Sequence, residues 1–190
     1  MTKTLRPLIV ALLLLPLAAF ADDVEEAIAT GLKHYKAKEY SQATAQLDYA
    51  ATLIRQAKAE QVKQAFPDAP SGWTAEDATA EAAGAAMFGG GITASRTYRK
   101  GDDYVTMELA MDSPMLQMVS AMFSNPSMIT MSGGKLIKVQ GVNAILRSDT
   151  SESAEIQFVT PGNAIVSLRG PGSQQAVMQD LANQLDFKKL

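Results

Sequence analysis

The 190-residue chain carries 20 acidic and 17 basic side chains, a net charge of −3 at pH 7, and no cysteine. The missing thiols exclude a disulfide framework, a cysteine nucleophile, a thiolate metal site and an acylated lipoprotein anchor. The mild acidity, with Arg96, Arg99 and Lys100 as the one tight basic cluster, argues against nucleic acid as a partner.

Residues 1–21 have the layout of a secretory signal peptide. Lys3 and Arg6 open it, Ile9 to Leu15 form a short apolar core, Pro16 breaks that core, and Ala19-Phe20-Ala21 is a small-x-small cleavage site. The core is shorter than the about 20 residues that span a bilayer, so no stable membrane anchor is expected after cleavage. The exported chain then begins at Asp22, and loss of Lys3 and Arg6 takes its net charge from −3 to −5. The exported portion is long enough to bury a core without covalent staples.

Residues 22–66 read as a helical hairpin. Val24, Ala27, Ile28, Gly31, Leu32 and Tyr35 recur at helical spacing behind an acidic first turn. Lys36 to Glu39 make a short connection, and Ser41 is a candidate cap for a second helix with Ala43, Leu47, Ala50 and Ile54 on its apolar face, continuing to Val62. Phe66-Pro67-Asp68-Ala69-Pro70 ends it, because closely spaced prolines cannot continue a helix. Gly31, His34, Tyr40, Ala43, Leu47 and Ala50 fall at the spacing of a tetratricopeptide repeat, which residues 24–56 resemble. Ala27, Thr30 and Arg55 stand where that family favours tryptophan, leucine and proline. The resemblance implies close helix approach and a tyrosine packed at the turn. A single repeat cannot build the peptide groove of a stacked array, so peptide binding is not implied.

Residues 67–91 read as a linker and an alanine- and glycine-rich helix, Ala75 to Phe88, with Thr74 and Asp77 as its cap and Gly89-Gly90-Gly91 as a stop and hinge. No lysine and hydroxyl pair follows the glycines, so they are not a phosphate-binding loop. From residue 92 to 190 the pattern is an antiparallel α+β domain. Ile92 to Arg99 and Tyr104 to Met111 alternate about Lys100-Gly101-Asp102-Asp103. Ser113-Pro114 starts a helix that ends near Phe123. Strands are expected at Lys135 to Val139, Val142 to Arg147, Ala154 to Thr160 and Ala164 to Arg169. Ser173 then caps a last helix with Val177, Leu181 and Leu185 on one face. The expected fold is thus α+β: an N-terminal helical hairpin, then an antiparallel sheet of about six strands with helices packed on one face.

Gly72-Trp73-Thr74-Ala75-Glu76-Asp77-Ala78, Ala85-Ala86-Met87-Phe88-Gly89-Gly90-Gly91 and Asp112-Ser113-Pro114-Met115 resemble a group of exported Gram-negative proteins of unknown function. The resemblance covers most of the exported chain, implies a periplasmic home and supplies no activity.

Residues 107–131 hold seven methionines, of which Met115, Met118 and Met122 fall at helical spacing. Thioether sulfur is a soft ligand that suits Cu(I), and it is also an adaptable core filler or a pliable contact surface. Core packing is the reading kept, because no histidine or cysteine accompanies the methionines. His34, the one histidine, cannot by itself form a multi-ligand zinc site and has no adjacent nucleophile, which points to a structural role. Asp22-Asp23 with Glu25-Glu26 suit a helix N-terminus, and Asp102-Asp103 suit a turn. No serine has nucleophile-elbow spacing. These observations favour a non-enzymatic soluble periplasmic protein without a cofactor, binding a protein or cell-envelope component. The alternative is a small-ligand or Cu(I) binder using Met115, Met118 and Met122.

Overall fold

The computed structural model of the chain describes residues 17–83, 91–112, 134–149 and 152–190. The chain divides into two units, Met1–Ala50 and Ala51–Leu190. The expected helix after Ser113-Pro114, the Gly89-Gly90 hinge and Met115, Met118 and Met122 lie outside the described residues.

Helix α1, Leu17–Lys36, and helix α2, Tyr40–Val62, form the hairpin. The turn between them places Lys38 in the left-handed region, φ 62°, and Glu39 donates its backbone N–H to His34 O at 3.0 Å. The residues buried in the first unit are small: Ala27, Gly31, Ala43 and Ala50. A β-carbon on Gly31 would lie 3.1 Å from the Leu47 side chain, so glycine sets how closely the helices approach. Tyr40 packs its ring edge-on to Tyr35, centroids 6.1 Å apart. Ser41 does not cap α2. The helix starts one residue earlier, and its first backbone bond runs from Ala43 N–H to Glu39 O.

The second unit is built on an eight-stranded antiparallel sheet: β1 Thr74–Ala75, β2 Thr79–Ala83, β3 Gly91–Lys100, β4 Asp103–Met111, β5 Lys135–Val139, β6 Val142–Asp149, β7 Ser153–Val159 and β8 Ile165–Gly170. The spatial order is β1-β3-β4-β8-β7-β6-β5, with β2 also paired to β3. The helix expected over Ala75 to Phe88 is not formed over its described part: Thr74, Ala75 and Thr79–Ala83 are strand, Asp77 lies between two strands rather than in a helix cap, and residues 84–88 lie outside the described residues. β2 takes the first half of β3 and β1 the last, while Glu76 N–H bridges to Thr97 O at 2.8 Å. Together they satisfy a sheet edge that would otherwise stay open, and this outweighs alanine's helix propensity. These two strands also raise the expected count of about six to eight.

Both two-residue turns are dictated locally. Gly101, φ 60°, joins β3 to β4, and Gln140-Gly141, φ 46° and 87°, joins β5 to β6 with the positive angles of a type I′ hairpin. Gln140 is an unusual left-handed residue. Its position is held because its amide donates to Ala182 O at 3.1 Å and Leu185 O at 2.8 Å, the free carbonyls at the end of helix α3, Gln175–Gln184. Its backbone N–H donates to Asn183 Oδ1 at 3.1 Å. Ser173 does not cap α3 either, since it sits inside a preceding 3-10 turn, Gly172–Gln174.

One face of the sheet carries the core. Ile92, Ala94 and Tyr98 of β3, Val105, Met107, Leu109 and Met111 of β4, and Ile156 and Phe158 of β7 are buried there with Met178, Leu181 and Leu185. Ala59 and Val62 of α2 and the following Ala65 and Phe66 join the same cluster. Helices therefore pack on one face among the described residues. Pro67 O receives the Tyr98 hydroxyl at 2.8 Å and Arg96 Nη1 at 3.2 Å, and the Arg96 guanidinium lies 5.7 Å from the Tyr98 ring centroid.

Burial pushes the Tyr98 phenol up from 10.0 to about 12, against the opposing pull of Arg96. The fold thus favours the neutral phenol, and the associated stability is complete below pH 10 and lost as pH rises to about 12. A Tyr98→Phe variant is expected to be about 1 kcal/mol less stable at neutral pH, for the lost hydrogen bond. Its urea midpoint should then fall less than wild type between pH 10 and 12, and parallel curves would refute the assignment.

Candidate interaction face of the sheet

Alternation along each strand sends every second side chain to the face opposite the core. Thr79 and Glu81 of β2, Thr93, Ser95 and Thr97 of β3, Thr106 and Glu108 of β4, and Ser167 and Arg169 of β8 all stand there, as the register shows. Glu155 and Gln157 of β7 and Arg147 of β6 continue the row. Hydroxyls meet across strands: Thr79 Oγ1 lies 3.0 Å from Ser95 Oγ, and Thr97 Oγ1 lies 3.2 Å from Thr106 Oγ1. Gln157 Nε2 donates to Ser167 Oγ at 3.2 Å.

The charges on this face form a row of alternating sign. Arg169 Nη1 is 2.6 Å from Glu108 Oε2 and its Nε is 3.0 Å from Glu155 Oε1, while Arg147 Nη1 is 3.4 Å from Glu155 Oε2. Each such partly exposed pair contributes about 0.2–1 kcal/mol. Two hollows flank the row. One of about 480 Å³ is lined by Thr79, Glu81, Thr93, Ser95, Glu108 and Ser167 together with apolar residues that include Leu109 and Ile165. The other, of about 510 Å³, is lined by Tyr104, Arg147, Ser153, Glu155 and Arg169. The Glu108–Arg169 pair stands between them.

Met115, Met118 and Met122 lie outside the described residues, and the other residues singled out from sequence lie off this face or at its margin. Met107 and Met111 are core residues of β4. His34 places Nδ1 2.5 Å from Glu39 Oε2 and braces the hairpin turn. The basic cluster is split between sheet faces: Arg96 bonds Pro67 O and Glu76 O on the core side, and Arg99 Nε pairs with Glu76 Oε1 at 2.5 Å. Among the described residues no three His, Asp or Glu side chains gather as a metal site, and no helix is long and apolar enough to cross a membrane. The polar face itself had a sequence signal, the serines, threonines and charges at alternate positions of the strands.

Comparison with known protein families, curated proteins and solved structures finds no match for this chain.

Proposed function

We propose that this is an exported, non-enzymatic binding protein of the bacterial periplasm, and that the polar sheet face receives a segment of a partner protein. The observation that carries the reading is the paired charge row flanked by two hollows of mixed polar and apolar lining. The signal-peptide layout of residues 1–21 supports export, and the repeat-like spacing of residues 24–56 supports treating the hairpin as a single tetratricopeptide-like unit.

The test places a photo-crosslinking residue at Thr93, beside the first hollow, and at exposed Lys188 as a control. Protein recovered from the host envelope is expected to start at Asp22 by mass. It should give a discrete protein adduct from position 93 and none from position 188, and the adduct should be lost when Glu108→Lys is added. Turnover of an ester, peptide or glycan substrate that disappears on replacing one residue would overturn the reading, as would a silent position 93.

A further inference from the structure

The first unit keeps Ala27, Gly31, Ala43 and Ala50 inside and leaves several large apolar residues exposed. Ile28, Leu32, Tyr35, Tyr40 and Leu47 are each 43–61 % exposed. At about 100° per residue, Ile28, Leu32 and Tyr35 fall within about 60° of one another on α1. Tyr40 and Leu47, seven apart, share one side of α2. The two sets are continuous, since Tyr35 packs on Tyr40 and Leu47 lies against Gly31. With about half of each side chain exposed, the stripe offers roughly 500 Å² of apolar surface, the larger part of the about 800 Å² that each partner brings to a standard interface. Contiguous apolar surface of this size marks a contact site.

We propose that the stripe is covered by the same stripe of a second copy of this chain, in a two-fold dimer with antiparallel α1 helices. The argument for a second copy is charge complementarity. Glu25 and Lys36 flank the stripe on the same side of α1, one at each end. Crossing two α1 helices near Leu32 sets Ile28 against Tyr35 of the partner subunit and brings Glu25 toward Lys36 of the partner subunit, and two-fold symmetry makes both contacts twice.

Sedimentation equilibrium on protein expressed from the whole coding sequence tests this, with helix content by circular dichroism as the folding control. The wild type is expected to dimerise. Leu32→Asp should raise the dissociation constant by about tenfold or more, as loss of a central apolar anchor does. Glu25→Lys and Lys36→Glu should each weaken the dimer, and the two together should restore it. A wild-type chain that stays monomeric at the highest attainable concentration overturns the proposal. So does a dimer indifferent to Leu32→Asp, or a double reversal that restores nothing.

Discussion

A Phe158→Ala variant is expected to lose about 3–5 kcal/mol of stability, the range for emptying a buried phenylalanine site. Phe158 is fully buried on the core face of β7. Ala144 of β6 and Val166 of β8 are its ladder neighbours, and its ring lies 6.1 Å from that of Phe187. Little can collapse into the space, because both flanking strands are tied through the sheet ladder. Domain stabilities run about 5–15 kcal/mol, so the loss removes a large part of the total. Urea unfolding followed by tyrosine and tryptophan fluorescence reads it directly. Phe158→Leu, which keeps much of the volume, should cost about 1.5 kcal/mol or less. An alanine variant as stable as wild type would mean that β7 is not at the centre of the core.

Gly170→Ala is expected to cost about 3 kcal/mol by the opposite route, overpacking. A β-carbon at Gly170 would lie 2.5 Å from the backbone oxygen of Tyr104 and 3.0 Å from Met178 Cε. The methionine end can swing away, but the carbonyl belongs to β4 and cannot move without disturbing the pairing of β4 with β8. Gly162 is the matched control: a β-carbon there meets only Thr160 Oγ1, at 3.9 Å. Gly162→Ala should be neutral or stabilising by about 0.4–1 kcal/mol, through the entropy of the unfolded chain. Thermal unfolding of the two variants side by side separates steric conflict from any general sensitivity of the strand ends, and equal losses would reject the steric account.

The parts of the fold that could be read from sequence are those in which two signals agree. Strands β3 to β8 alternate and are bounded by turn residues such as Gly101, Gly141 and Pro161-Gly162-Asn163. In the hairpin, apolar spacing and the prolines after Phe66 both mark where helices begin and end. The alanine-rich segment misled because its two signals conflict. Alanine favours helix in isolation, whereas Thr79-Ala80-Glu81-Ala82 alternates with the period of a strand. The arbiter was remote in sequence: the outer edge of β3, whose backbone groups needed partners. Capping serines failed for a related reason. Ser41 and Ser173 have the right chemistry, but Glu39 and a 3-10 turn already occupy the start of each helix.

The polar sheet face was less legible than the fold. Its residues are scattered from Thr79 to Arg169, and nothing in a linear reading says that Glu108, Glu155 and Arg169 meet. Sequence reasoning went instead to local concentrations, the methionines and the arginines. Arg96 shows why that is unsafe, since its guanidinium is spent on the carbonyls of Pro67 and Glu76.

Strand order also governs how the sheet assembles. Among the described residues every pairing but one joins strands that are near in sequence, so the sheet has two halves: β1 to β4, in which β1 and β2 share one edge of β3, and the meander β5 to β8. Their one junction is β4 with β8, where Glu108 and Arg169 pair across 61 residues of chain. Closing a long loop costs more entropy than closing a short turn, so the entropic cost of this topology is concentrated at that single seam. Each half can form from contacts near in sequence, and the Glu108–Arg169 pair becomes available only once the two have joined. The polar face is therefore complete only when both halves of the sheet are in register.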